Sequence, residues 1–292
     1  PGRVSLREIL MVANAAAAGQ PHWSSKAAFV LAAVGSAVGL GNLWRFPSEA
    51  GANGGGAFVL IYILCVALIG APLLLAETLI GRHGQRSTVA SAVLLARQSK
   101  ASSAWASLAV IGMIANYVIL TFYSVVAGWV LYYIGTSAAD VVRTTLAGQP
   151  FAGAYSHLSV EEVRGQMPAL FANPLQMTLT HFLFAAATTF VVARGVKGGI
   201  EVAATWLMPA FFVLLVAITI YAGISGDFAA AVAFLFTPDF GRALQPQVLN
   251  SALGQAFFSL SLGGGAMVAY GAYASRDTNL GQTSGFISAA DT

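Results

Sequence analysis

The stretch GSAVGLGNLWRFP, residues 35–47, ends a hydrophobic run with Gly35, Gly39 and Gly41, followed by Asn42, Arg45 and Pro47. A helix in hydrocarbon must satisfy every backbone N–H and C=O internally, so unwound backbone survives there only where it lines a protein cavity. Glycine lets the backbone open and approach a ligand closely. Carbonyls freed on one side of such an opening can ligate a cation. The N–H groups that start the second half-helix offer partial positive charge to an anion. The stretch thus reads as a helix that opens in order to bind, with close packing through small residues as the competing explanation.

Composition sets the solvent. The 292 residues are 57% hydrophobic and 9% charged, with a mean hydropathy of +0.75. Soluble domains carry about 25% charged residues, so this chain cannot build a solvated surface and belongs in a membrane. The net charge of +3 comes with no basic run interleaved with aromatics, which excludes a nucleic-acid partner. Cys65 is the single cysteine, so no intrachain disulfide exists and its thiol is read as packing.

Six segments are long and apolar enough to span, at about 26–47, 57–80, 104–134, 177–193, 202–224 and 250–275. A polar connection at about 136–176 separates the third from the fourth, and FAAAVAFLF at 228–236 is too short to cross. Lysine and arginine set the orientation. With the N-terminus inside, Arg3, Arg7, Lys26, Arg82, Arg86, Arg97, Lys100, Arg194, Lys197 and Arg276 are cytoplasmic, against Arg45, Arg143, Arg164 and Arg242 outside. The reading is therefore a multi-pass membrane protein with a cytoplasmic N-terminus and an external 136–176 loop. Residues 1–22 form an N-terminal cytoplasmic segment, of which 1–10 are expected to lie upstream of a start at Met11. Asn14 interrupts the short apolar run there, which argues against a signal peptide.

A second interruption occurs in the sixth segment, GQAFFSLSLGGGAMVAY at 254–270, where Gly263, Gly264 and Gly265 follow Ser259 and Ser261. Two glycine-interrupted spans, each with side-chain oxygens beside the break, favour a transporter binding site over packing.

Trp23 spaced eleven residues ahead of GSAVGLGNLWRFP, then NGGGAF at 53–58 and GQAFFSLSLGGG at 254–265, resemble the neurotransmitter:sodium symporter family with its leucine-transporter fold. The resemblance runs from about Gln20 to the end of the chain. It implies an all-α membrane protein whose six spans correspond to the first five-helix repeat plus the opening helix of a second, inverted repeat, with helices 1 and 6 broken mid-membrane. It also implies that residues 23–292 are a partial transporter domain, an N-terminal half, and that SGFISAADT at 284–292 is the cytoplasmic loop before a seventh helix.

The family's site residues carry over by position. Ala37, Asn42 and Ser259 are similar to ligands of a first sodium ion, and Gly35 and Val38 to backbone ligands of a second. The substrate pocket implied is Ala37, Leu40, Gly41, Ile119, Tyr123, Phe258, Ser259, Ser261 and Gly264. Within it, N–H groups near Leu40 and Gly41 and the Tyr123 hydroxyl would meet a carboxylate, and Phe258 would act as a lid. Gly39 stands where the monoamine branch has an aspartate, which favours a substrate carrying its own carboxylate. Gly264 removes bulk from the pocket, which suits a large apolar or aromatic amino acid.

Arg45 looks like the external gate arginine, Glu77 like an acceptor tying down the sixth helix, and Trp23 and Tyr273 like cytoplasmic-gate residues. The basic residue expected three positions before the tryptophan is replaced by Gln20. Tyr62, Gln255 and Ser259 match a chloride site, and chloride dependence stays open. The implied cofactor is sodium; the implied partners are the lipid bilayer, an amino acid and, as an open alternative, further copies in a homo-oligomer. Enzymes are excluded: His22, His83, His157 and His181 lie apart and pair with no nucleophile motif. The expected function is sodium-coupled amino-acid symport by a chain that is an incomplete, transport-inactive half. The alternative is a non-transporting membrane scaffold or fragment that assembles with another chain.

Overall fold

A computed structural model describes residues 22–39, 41–149, 153–237, 241 and 244–292. Leu40, expected in the substrate pocket, and the N-terminal segment through Pro21, Met11 included, lie outside the described residues.

The chain divides into two compact units. The first comprises residues 1–113 and 194–292. Its helix α1 (Lys26–Ala37) starts at Ser25, whose hydroxyl accepts a hydrogen bond from the Ala28 N–H at 3.1 Å. A side-chain acceptor there satisfies one of the donors a helix start leaves orphaned. The helix stops at Ala37, and α2 (Gly41–Ala52) continues at an angle of 43°. Helix α3 (Gly56–Gly84) widens into a π turn over Val66–Gly70. Pro72, which follows, has no N–H and crowds the carbonyl four residues back, and widening accommodates it. Then come α4 (Thr88–Gln98) and the first part of α5 (Ala106–Leu146).

After the second unit, α8 (Val196–Ser225), α9 (Phe228–Phe236), α10 (Pro246–Ser259), α11 (Ala266–Ala272) and α12 (Leu280–Asp291) complete the first. Its core gathers Phe29, Val34, Phe58, Tyr62, Leu74, Leu260, Met267 and Ile287. Helix α1 packs on α8, α10 on α3, and α11 on α3. The α3–α11 crossing is backbone to backbone: a side chain on Gly81 would stand 2.0 Å from the Val268 carbonyl oxygen, and one on Gly271 2.4 Å from that of Thr78. Small residues let helices approach this closely where hydrophobic force between them is absent.

The second unit, residues 114–193, holds the remainder of α5, then α6 (Val160–Phe171) and α7 (Pro174–Ala193). Helix α5 continues to Leu146, past the span end expected near residue 134. Asp140 fastens the turn that follows, accepting from the Tyr155 N–H at 2.8 Å and pairing with His157 at 3.6 Å. Ser159 and Glu162 form a capping box at the start of α6. The Ser159 backbone N–H and hydroxyl hold the Glu162 carboxyl below its ordinary range. Helix α7 buries none of its residues in the unit, as expected of a segment facing lipid or other helices.

Among the described residues four helices are long and apolar enough to cross a membrane: Gly56–Gly84, Ser103–Leu146, Pro174–Ala193 and Val196–Ser225. The bent α1–α2 pair makes a fifth if taken as one span. The segment expected at 250–275 is divided between α10 and α11, with Leu260–Gly265 non-helical. One expectation is corrected. Residues 284–291 are not a loop but part of α12, which packs on α1 and α3 and buries Ile287, Ser288 and Asp291. Its Asn279 cap, accepting from the Gln282 N–H, starts a helix that the short polar run SGFISAADT conceals.

Candidate functional site

The two glycine-rich interruptions meet within the first unit. At the first, the Gly39 N–H donates to Asn42 Oδ1 at 3.1 Å, which turns the Asn42 amide nitrogen outward. That nitrogen donates to Ser259 Oγ at 2.9 Å, to the Asp291 carbonyl at 2.8 Å and to Asp291 Oδ1 at 2.9 Å. The Ser259 hydroxyl donates to Asp291 Oδ2 at 2.6 Å, and the Tyr62 hydroxyl lies 3.4 Å from Ser259 Oγ. Tyr62, Ser259 and Asp291 are all buried. The cluster therefore joins α2, α3, α10 and α12 through hard oxygen donors and one amide.

Asp291 is the residue that sequence reasoning missed. Among the described residues its carboxylate forms no salt bridge. A buried carboxylate without a countercharge is costly, and a buried ionisable residue in a membrane protein is by itself a signal of function. The lone aspartate of GFISAAD carried that signal. The carboxylate and hydroxyl oxygens, with the Asn42 amide oxygen if that side chain turns over, fit a hard cation such as sodium, and among the described residues no His/Cys/Asp/Glu cluster suits a softer metal.

The remaining site residues fall around this cluster or away from it. Ala37 ends α1, buried, and Val38 caps it. Gly35 lies against α8, where an added side chain would stand 2.9 Å from Met208 Sδ. The Gly41 carbonyl accepts from Gln255 Nε2 at 3.0 Å, while Gln255 Oε1 is buried without a partner among the described residues. At the second interruption Ser261 takes φ 54° and donates its hydroxyl to the Ser36 carbonyl at 2.9 Å. The Gly263 N–H donates to Glu77 Oε1 at 2.7 Å, and Thr88 Oγ1 donates to the Gly265 carbonyl at 3.0 Å. Gly264 follows in the same non-helical stretch.

Arg45 lies with its guanidinium carbon 4.7 Å from the centroid of the Phe258 ring. At the other end of α1, the Trp23 indole N–H donates to the Tyr270 carbonyl at 3.2 Å and the ring stacks on Tyr270 at 5.7 Å. The Trp23 N–H reaches the Tyr273 carbonyl, also at 3.2 Å, and the two rings meet edge to face. Ile119 and Tyr123 belong to the second unit, on α5, where Tyr123 is half-buried against Phe122. Two further acidic residues escaped sequence reasoning. Glu201, at the start of α8, accepts from the Ser24 N–H at 3.1 Å and from its hydroxyl. Glu49, on α2, lies beside Arg45 and accepts from the Ser251 hydroxyl.

Comparison with known proteins bears on the chemistry. The family model described as Sodium:neurotransmitter symporter family matches residues 20–152 and 154–292. An uncharacterized sodium-dependent transporter of Bacillus subtilis, YhdH, is 38% identical over 259 residues, which is 89% of this chain and 53% of that one. The sodium-dependent neutral amino acid transporter B(0)AT2 of Pongo abelii is 29% identical over 279 residues, 89% of this chain and 37% of that protein. The crystal structure of MhsT in complex with L-phenylalanine superposes with a TM-score of 0.78 at 40% identity, covering 94% of this chain and 58% of MhsT. The chain thus spans between 37% and 58% of the length of these relatives. These relatives are transporters, not enzymes. With its glycine-opened stretches and its buried oxygen cluster, the chain belongs to the sodium:neurotransmitter symporter family of multi-pass membrane transporters.

Proposed function

We propose that this chain carries the sodium-binding half of a symporter for a large apolar or aromatic amino acid. The observation that carries the reading is the Asn42–Ser259–Asp291 cluster, a buried carboxylate among oxygen donors that forms no salt bridge among the described residues. The Ala37 carbonyl, Asn42, Ser259 and Asp291 would hold one sodium ion, with the Asn42 amide rotated to present its oxygen. Gly35 and Val38 would hold a second. Sodium supplies a countercharge both to Asp291 and to a substrate carboxylate, which links the two bindings.

The substrate carboxylate would lie at Gly41 and the side chain among Ala37, Phe258, Ser259, Ser261 and Gly264; Leu40, Ile119 and Tyr123 join the pocket by the family resemblance alone. The phenylalanine bound by MhsT supports an aromatic side chain there. Tyr62, Gln255 and Ser259 would be the place for chloride, but Asp291 already puts a carboxylate against Ser259. An anion beside it would be repelled, and transport is expected to run without chloride.

In this reading α1–α2 and α10–α11 are the first and sixth of six crossings, both broken mid-membrane. The N-terminus is cytoplasmic, the 136–176 region external, and the membrane the cytoplasmic one. Alternating access moves one helix bundle against the rest, so the 292-residue chain alone is expected to bind weakly and not to transport.

The test is sodium-dependent binding of radiolabelled phenylalanine, comparing this chain with a version extended to its relatives' full length. Binding by the extended form that is lost in Asn42→Ala and Asp291→Ala supports the proposal. Binding indifferent to sodium, or untouched by both substitutions, overturns it. No binding in either form points to a scaffold that assembles with another chain.

A further inference from the structure

On the reading above, Arg45 and Phe258 stand over the substrate pocket. We propose that Glu49 is the positioning residue that holds the Arg45 guanidinium over the Phe258 ring, and that it does so by bridging α2 to α10. Glu49 lies one helical turn after Arg45, with its Oε1 3.5 Å from Arg45 Nε. Its second oxygen, Oε2, faces the other way. It accepts from Asn53 Nδ2 at 3.1 Å and from the Ser251 hydroxyl of α10. Asn53, buried at 7% exposure, also donates from Nδ2 to the Glu49 carbonyl at 2.9 Å and to Ser251 Oγ at 3.3 Å.

An exposed i,i+4 ion pair contributes little, because two long side chains must be ordered to make it. This pair differs in that the Ser251–Asn53 contacts already fix the carboxylate, so the arginine meets a preorganised acceptor. Ser251 and Phe258 are seven residues apart on α10, two turns, and therefore share a face. Gly254, between them, leaves that face open: a side chain there would stand 4.0 Å from Arg45 Nη2. Helix α2 thus touches one face of α10 at two heights, at Ser251 through Glu49 and at Phe258 through Arg45. Glu49 couples the two.

A merely structural Glu49 would loosen the α2–α10 contact whether or not residue 45 is an arginine. A positioning Glu49 acts through Arg45 alone. The first measurement is on the 292-residue chain in detergent: the upfield ring-current shift of the Arg45 side-chain protons, identified by difference with Arg45→Lys. Glu49→Ala is expected to abolish the shift, Ser251→Ala to reduce it, and Glu49→Asp to retain part of it.

The second measurement is phenylalanine dissociation from the full-length extended form. Glu49→Ala is expected to speed release about 5–10-fold in the wild-type background and not at all in Arg45→Ala. An unchanged shift in Glu49→Ala, or effects of Glu49→Ala and Arg45→Ala that multiply, overturns the proposal. If the extended form binds no phenylalanine, the transport reading fails while the ring-current shift still decides what holds Arg45.

Discussion

The two interruptions close their backbone hydrogen bonds in different ways. Around Gly39 the N–H groups of Val38, Gly39 and Asn42 are satisfied locally, while the Gly41 carbonyl takes a distant donor, Gln255. The Val38 N–H bonds to the Val34 carbonyl at 2.7 Å, the Asn42 N–H to that of Gly39 at 3.1 Å, and the Asn42 side chain caps the Gly39 N–H. Around Gly263 the Ser261 and Leu262 N–H groups still bond back to Phe258 and Phe257, but further partners come from elsewhere in the chain: Glu77 takes the Gly263 N–H, Thr88 caps the Gly265 carbonyl, and the Ser261 hydroxyl reaches Ser36. The backbone itself is also further from helical there, with positive φ at Ser261, Gly263 and Gly265. A short opening can be written into the residues that make it. A wide one needs the fold around it.

Substitutions at the wide opening should therefore cost most. Gly265 takes φ +77°, and an added Cβ would meet Thr88 Cγ2 at 2.4 Å. Gly265→Ala combines left-handed strain with overpacking and is expected to lose about 2–5 kcal/mol, read as a lowered midpoint of thermal unfolding in detergent. A melt within experimental error of wild type would break the comparison. Glu77→Ala strands the Gly263 N–H and should cost about 1–3 kcal/mol, with Glu77→Gln, which keeps an acceptor, costing clearly less.

Asn42→Ala removes the local cap on the Gly39 N–H together with the amide bonds to Ser259 and Asp291, and in sodium-free buffer should cost about 1–3 kcal/mol. Its larger consequence, on the proposed function, is loss of any sodium-induced rise in the melting midpoint. Ser261→Gly sharpens the contrast from the other side. It loses one hydrogen bond of about 1 kcal/mol but relieves a positive φ of similar cost, so its net effect should stay below about 1 kcal/mol.

The same difference explains what was legible in the sequence. The first opening and its asparagine were visible in residues 35–47, because the Gly39 N–H and its Asn42 cap are neighbours in the chain, whereas the Asn42 amide's other partners, Ser259 and Asp291, are not. The glycines of the second were visible too, but Thr88 was not, since nothing in RSTVAS marks a threonine that caps a carbonyl 177 residues away. Asp291 was hidden by a short, polar-looking helix that a hydropathy reading takes for a loop. Glu49 was hidden beside Arg45, where an i,i+4 pair reads as an ordinary surface feature and the bridge to Ser251 exists only in three dimensions. Long apolar helices were legible throughout, whereas their ends were not: α5 runs on to Leu146 because VVRTTL continues a helix after hydrophobicity falls.

The docking of Trp23 gives the protein an optical reporter of its own. Of its five tryptophans, Trp23 is 8% exposed, while Trp44, Trp105 and Trp206 are all more than half exposed. An indole shielded from solvent, hydrogen-bonded and stacked on a tyrosine emits toward the blue, and Tyr270 lies close enough to pass it excitation energy. Subtracting the emission of Trp23→Phe from that of the parent isolates this one ring. Its colour then tells, in real time and without a label, whether the Trp23 end of α1 is seated or released.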